Sequence, residues 1–284
     1  MKIAIMIVLI LFALCEIWFW IPYSALKSRF AKDVSDAKNA TLYGDGDVFA
    51  ASDFQHLPKV IQDYIEANGY LGKPKMNYLK MEYHSVDFSQ GRSGPNLTID
   101  YTQYDFVKEP GRLALIKSGV AGIPFQGYDY YLQGKGGMKG VVAKLFTLFH
   151  QTGDEMDRAC LATFLAESMF VPTVLLQDYI KFEEVNDLKV RATISYYGQT
   201  VSGIFTFNED HEMVSFTTDD RAVVDTDGTV EYVPWSALCS NYKVDDDEIR
   251  KPTLFQAVWN YPDGDFVYFD GKINEISYDT SSPT

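Results

Sequence analysis

From about residue 76 onward the chain consists of short runs that alternate apolar with polar residues, separated by reversals too tight for a crossover. Leu97, Ile99 and Tyr101 alternate with Thr98, Asp100 and Thr102, and further strand-like runs lie at 112–118, 125–132, 189–197, 201–207 and 213–218. Tyr197-Gly198, Asn208-Glu209-Asp210-His211, Asp227-Gly228, Asp263-Gly264 and Asp270-Gly271 mark turns. Parallel neighbours need a connection of a dozen residues or more, so strands this close must pair antiparallel. Residues 57–65 carry Leu57, Val60, Ile61, Tyr64 and Ile65 at helical spacing, with Pro58 at the first turn and Asn68-Gly69 after the last. Two more helices are predicted at 141–149 and 154–170, the second presenting Leu161, Phe164, Leu165 and Met169 and ending before Pro172. The expected class is α+β: a large curved antiparallel sheet with helices packed on one face.

Residues 3–21 form an almost unbroken apolar run with Trp18, Phe19 and Trp20 at one end. As a helix this run just crosses the roughly 30 Å hydrocarbon core, and the aromatic cluster suits the headgroup boundary. A cleaved secretory signal is the alternative reading. Retention as a single-pass anchor is favoured because the run exceeds a usual signal core and no small-x-small site follows it; Tyr23 stands where cleavage after Ala25 needs a small residue. Lys2 flanks one end and Lys27, Arg29 and Lys32 the other, a balance that leans towards a cytoplasmic domain. An aromatic-rich β domain behind such an anchor is nevertheless a common external arrangement, and the folded part is assigned to the outer side. Residues 31–52, rich in Asp, Ala, Ser and Gly, read as a linker. The expected organisation is an anchor with its basic flank over residues 1–30, a linker over 31–52 and a single domain over 53–284.

The formal charge of −14, from 39 acidic and 25 basic residues, repels phosphate backbones and argues against nucleic acid or an anionic membrane surface as the main partner. Cys160 and Cys239 are far apart in apolar contexts, which leaves two buried thiols and a disulfide both open.

Three segments look like one known family: Leu57-Pro58-Lys59-Val60-Ile61-Gln62-Asp63-Tyr64, then Leu161 to Glu167 with Pro172-Thr173-Val174-Leu175-Leu176, and Phe182 to Asp187 leading into Arg191-Ala192-Thr193. They resemble an uncharacterised bacterial domain-of-unknown-function family with an N-terminal membrane segment. The resemblance spans nearly the whole domain and implies no activity. In that pattern an Arg often stands four residues ahead of the Glu and a Trp stands where this chain has Phe182; here Thr163 precedes Glu167. Arg221, at the end of a strand, is then the candidate to pair with Glu167.

Motifs for chemistry are sparse. Gly134-Lys135-Gly136-Gly137-Met138-Lys139-Gly140 lacks the Gly-Lys-Ser/Thr ending of a phosphate loop and reads as a strand-to-helix turn. His56, His84, His150 and His211 do not stand at zinc-ligand spacing, and Asp245-Asp246-Asp247-Glu248 lacks the alternation of a calcium loop, so neither metal nor cofactor is expected. No catalytic residue is assigned. Glu167, set among Phe164, Leu165, Met169 and Phe170, must find a cation if it is buried, which makes Glu167 and Arg221 the expected polar pair, structural or ligand-binding. Aromatic residues make up 15% of the chain, enough to line a curved sheet that leaves an apolar cavity. The order of helix, strands, helices, strands is loosely similar to periplasmic lipoprotein-carrier folds, which implies a non-enzymatic module binding a lipid or other apolar ligand. A hydrolase drawing its acid and base from the carboxylates is the alternative.

Overall fold

The structure is a computed structural model and describes residues 1–40, 47–92, 94–120 and 122–280. Thirteen strands form one antiparallel sheet. In chain order they are β1 (Tyr78–Ser89), β2 (Asn96–Phe106), β3 (Gly111–Val120), β4 (Ile123–Leu132), β5 (Lys135–Val142), β6 (Phe146–Gln151), β7 (Ile180–Asn186), β8 (Lys189–Tyr196), β9 (Gln199–Phe207), β10 (Met213–Thr218), β11 (Trp235–Ser240), β12 (Leu254–Tyr261) and β13 (Gly264–Asp279). Their spatial order is β6-β5-β4-β3-β2-β1-β13-β12-β11-β10-β9-β8-β7, so two meanders meet where β1 pairs with β13.

Helix α1 covers Lys2–Trp20, α2 Ala25–Ala40, α3 Lys59–Ala67 and α4 Asp154–Glu167. α4 touches both β5 and β9, which stand nine places apart in the strand order, so the sheet must curl around it. Close approach at one side is permitted by Gly136, where a Cβ would lie 2.7 Å from the Met156 carbonyl oxygen of α4. The wrapped helix is buried on all sides from Ala159 to Glu167, with Leu161, Phe164 and Leu165, and Met169 in the turn that follows it, at 0–1% exposure. Cys160 and Cys239 are both buried free thiols.

Three expectations change. Asp270-Gly271 is not a turn but lies inside β13, paired with Gln256 and Phe255 of β12. Residues 141–149 are not a helix but the β5–β6 hairpin, in register through Val142 opposite Phe146. Its turn places Ala143 and Lys144 at φ 53° and 63°, a left-handed pair usually made by Asn-Gly, so the sequence carries no ordinary turn signal. The glycine-rich run is accordingly a hairpin turn at Gln133-Gly134 running into β5, rather than a strand-to-helix turn.

The stretch read as a linker is helix up to Ala40. Leu26, Phe30 and Val34, one per helical turn, pack against Phe106, Leu113, Leu115, Tyr128 and Val141. The alternation that turns Arg112, Ala114 and Ile116 towards α4 turns Leu113 and Leu115 towards α2, so α2 covers the outer face of the sheet. Gly44-Asp45-Gly46, the core of the linker reading, lies outside the described residues. Pro22 separates α2 from α1, and Ser24 starts α2 by accepting the Lys27 amide while its hydroxyl donates to Gln126 of β4. α1 has no buried residue and is long and apolar enough to cross a membrane.

Candidate functional site

Strand alternation gathers a polar cluster on the inner face of the sheet. Tyr101, Gln103 and Asp105 come from β2, Arg112 from β3 and Asp129 from β4, while the last turn of α4 lays Glu167 over them. The Arg112 guanidinium donates from Nε to Glu167 Oε2 at 2.7 Å and from Nη1 to Asp129 Oδ2 at 2.6 Å. Its Nη2 reaches the Tyr101 hydroxyl at 2.6 Å and Gln103 Oε1 at 3.0 Å. The Gln103 amide donates in turn to both Asp105 oxygens, at 2.9 and 3.0 Å, and to Glu167 at 2.8 Å. A buried cation thus holds two carboxylates directly and a third through an amide.

That excess of negative charge raises proton affinities. Burial and then the neighbouring Glu167 push the Asp105 carboxyl well above the ordinary carboxylate range; burial also lifts Glu167, against the opposing pull of Arg112. An acid raised in the folded state contributes stability that is fully present below its unfolded pKa of about 3.9 and is lost as pH rises through the folded value. Asp105→Asn, neutral at every pH, should therefore be more stable than the wild type at pH 7. The advantage should close as pH falls towards about 4, read as urea midpoints across that range. An advantage that stays constant with pH would place the cost of Asp105 elsewhere than in its ionisation.

Arg221 and Glu167 do line the same cavity, but no ion pair joins them: Arg112, 55 residues from Glu167 in sequence, is its cation. Arg221 is held differently. Its Nε donates to the Thr163 hydroxyl at 3.1 Å, one helical turn before Glu167, and its guanidinium lies 4.7 Å from the ring centroids of both Trp235 and Trp259. Its Nη1 makes no hydrogen bond among the described residues. The signal that the sequence did offer was Arg112 itself, the one charge of β3 in phase with the inward Ala114 and Ile116.

The cavity around this cluster, walled by Tyr83, Phe88, Ile116, Met138, Phe255 and Phe269, holds about 110 Å³. Ligand sites usually span about 300–1,000 Å³, so it is too small to receive a lipid chain as it stands. A groove of about 890 Å³ on the opposite face does fall in that range. It runs between α2 and β3–β6, with Leu26, Ala37, Leu132 and Val141 among its apolar lining and Arg29, Lys135, Lys139 and Lys144 among its cations. Lys139 has no ion pair among the described residues, whereas Lys135 is paired with Asp157 and Arg29 with Asp33, which lines the groove together with Asp36 and Glu109. The acidic tetrapeptide is a turn whose Asp245 and Asp247 hold Lys251.

A model described as a family of unknown function, DUF6544, matches residues 47–271, a stretch that includes the whole inner cluster and leaves α1 and α2 outside. No curated protein matches the chain. Among solved structures, a putative outer membrane lipoprotein-sorting protein domain from Vibrio parahaemolyticus is 9% identical with a TM-score of 0.37, covering 79% of this chain and 93% of that one. A DUF1329 family protein from Desulfovibrio piger is 10% identical with a TM-score of 0.34, covering 79% and 92%. Likenesses at this level carry no functional argument.

Proposed function

The chain belongs to the DUF6544 family of unknown function, and we propose that it is a membrane-tethered, non-catalytic module that binds an amphiphilic, lipid-type ligand in the groove under α2. The observation that carries this reading is the groove itself: an apolar lining edged by polar groups, Lys139 as well as the acids Asp33, Asp36 and Glu109, on a scale that accepts an acyl chain and a polar head. In this reading residues 3–21 are the tether, residues 53–284 the folded unit on the outer side, and α2 the element that joins them by forming one wall of the site.

The hydrolase alternative needs an acid and a base free to act across a cleft. Glu167 and Asp129 are the carboxylates lining the inner cavity, and Arg112 holds both of them within 2.7 Å, which favours a structural role. Glu167 and Arg221 are therefore proposed as parts of the inner wall rather than as the ligand site.

The test uses the full chain extracted in mild detergent and measured by native mass spectrometry with lipid extraction. Ala37→Trp fills the groove and should abolish the bound species, whereas Met138→Trp, which fills the inner cavity, should leave it in place, both in variants with the wild-type circular dichroism spectrum. The opposite pattern would move the ligand to the inner face and sink the proposal.

A further inference from the structure

At one corner of the sheet four large apolar side chains have no cover among the described residues. Leu145, Phe146 and Leu148 are 62%, 65% and 60% exposed, and Ile123 is 44% exposed. They belong to the ends of the β5–β6 and β3–β4 hairpins, which lie side by side: the Ala143 amide donates to the Pro124 carbonyl at 2.8 Å. Clusters of this kind on a soluble face mark an interaction surface.

The neighbour of these turns says which surface it is. The Lys144 ammonium donates to the carbonyls of Trp18, Phe19 and Ile21 at 2.9, 2.8 and 2.6 Å, so its three donors close the open end of α1. In return the Trp18 indole donates to the Ala143 carbonyl at 3.1 Å. The hairpin tip is thereby fixed at the depth of the aromatic end of α1, the level at which Trp residues of a spanning helix meet the headgroups.

Charge supports the same placement. Lys117 and Lys144 both lie near Lys27, close enough that, after burial, these two neighbouring charges lower the Lys27 ammonium. In a chain of net charge −14 this is a local reversal of sign, and it sits where anionic headgroups would lie.

We propose that Leu145, Phe146 and Leu148, with Ile123 beside them, enter the acyl margin of the leaflet that α1 crosses, while Lys27 and Lys117 face its headgroups. Lys144, Leu145 and Thr147 also line the groove under α2, so this placement opens one end of the groove directly onto lipid. The groove then fills from the bilayer without its ligand crossing water. The inference rests on the reading of α1 as a span.

The test is made on the full chain with Cys15→Ser, reconstituted in vesicles of phosphatidylcholine and phosphatidylglycerol. Single changes Phe146→Cys, Leu148→Cys, Val185→Cys and Val244→Cys each carry an environment-sensitive fluorophore; Val185 and Val244 are exposed apolar controls, 50% and 68% accessible. Brominated phosphatidylcholine should quench the dye at 146 and 148 by about half and leave 185 and 244 unchanged, as expected for burial some 5–10 Å into the interface. Quenching at 146 and 148 no greater than at the controls would overturn the proposal, as would shielding that depends on protein concentration, which would assign the patch to a second copy. Alkaline carbonate extraction separates the two ways of failing: a chain released from the vesicles refutes the tether, whereas a retained but unquenched chain refutes only the insertion of the hairpin.

Discussion

Arg112→Met should be the most damaging single change in the folded unit. Arg112 is 5% exposed, and its removal leaves Glu167 at 2% exposure, Asp105 at 1% and Asp129 without their common cation. Breaking a buried pair from one side costs about 3–5 kcal/mol because the survivor is left charged and desolvated. Equilibrium urea unfolding should show that loss at pH 7 and a smaller one in acid, where the stranded carboxylates take up protons. Adding Glu167→Gln should recover part of the loss, the behaviour of coupled neighbours. A single-variant cost below about 1 kcal/mol would mean that water reaches the cluster.

The second large effect is expected at Phe164, 1% exposed in the last turn of the wrapped helix α4. Phe164→Ala removes a ring from between two arms of the sheet that cannot easily close in, at a cost of about 3–5 kcal/mol. For a domain of this size that is a fall in melting temperature on the order of 10 °C, measurable by calorimetry. An unchanged melting temperature would show that α4 is peripheral to the cooperative unit.

These two positions differ in how they were legible. Phe164 is read directly from the sequence, because three and four spacing with Leu161, Leu165 and Met169 defines a face without reference to anything distant. The strands follow from alternation in the same way, and their antiparallel pairing from the brevity of the turns. The partner of Glu167 is not a local property: Arg112 lies within β3 and Arg221 just beyond the end of β10, and the choice between them depends on which one the curl of the sheet brings beneath the last turn of α4. The β5–β6 hairpin was hidden because Ala143 and Lys144 adopt left-handed backbone with no residue that advertises it. The bonds that Lys144 and the Ala143 carbonyl make to α1 are what hold that turn in place. For α2, the spacing of Leu26, Phe30 and Val34 was present, but it straddled the boundary drawn between a basic flank and an acidic, Gly-containing stretch.

The pairing of β1 with β13 sets Tyr78 opposite Asp279, so the seam between the two meanders joins residues about two hundred positions apart. Of the thirteen strands, β13 is the last to leave the ribosome, and until it does β1 has only β2 as a partner and its other edge is open. The first six strands can close hairpin by hairpin as they are synthesised, but the sheet becomes continuous only with the final one. Non-local closure of this kind slows folding and prolongs the exposure of an unpaired strand, which makes β1 the segment most in need of protection while the chain is incomplete.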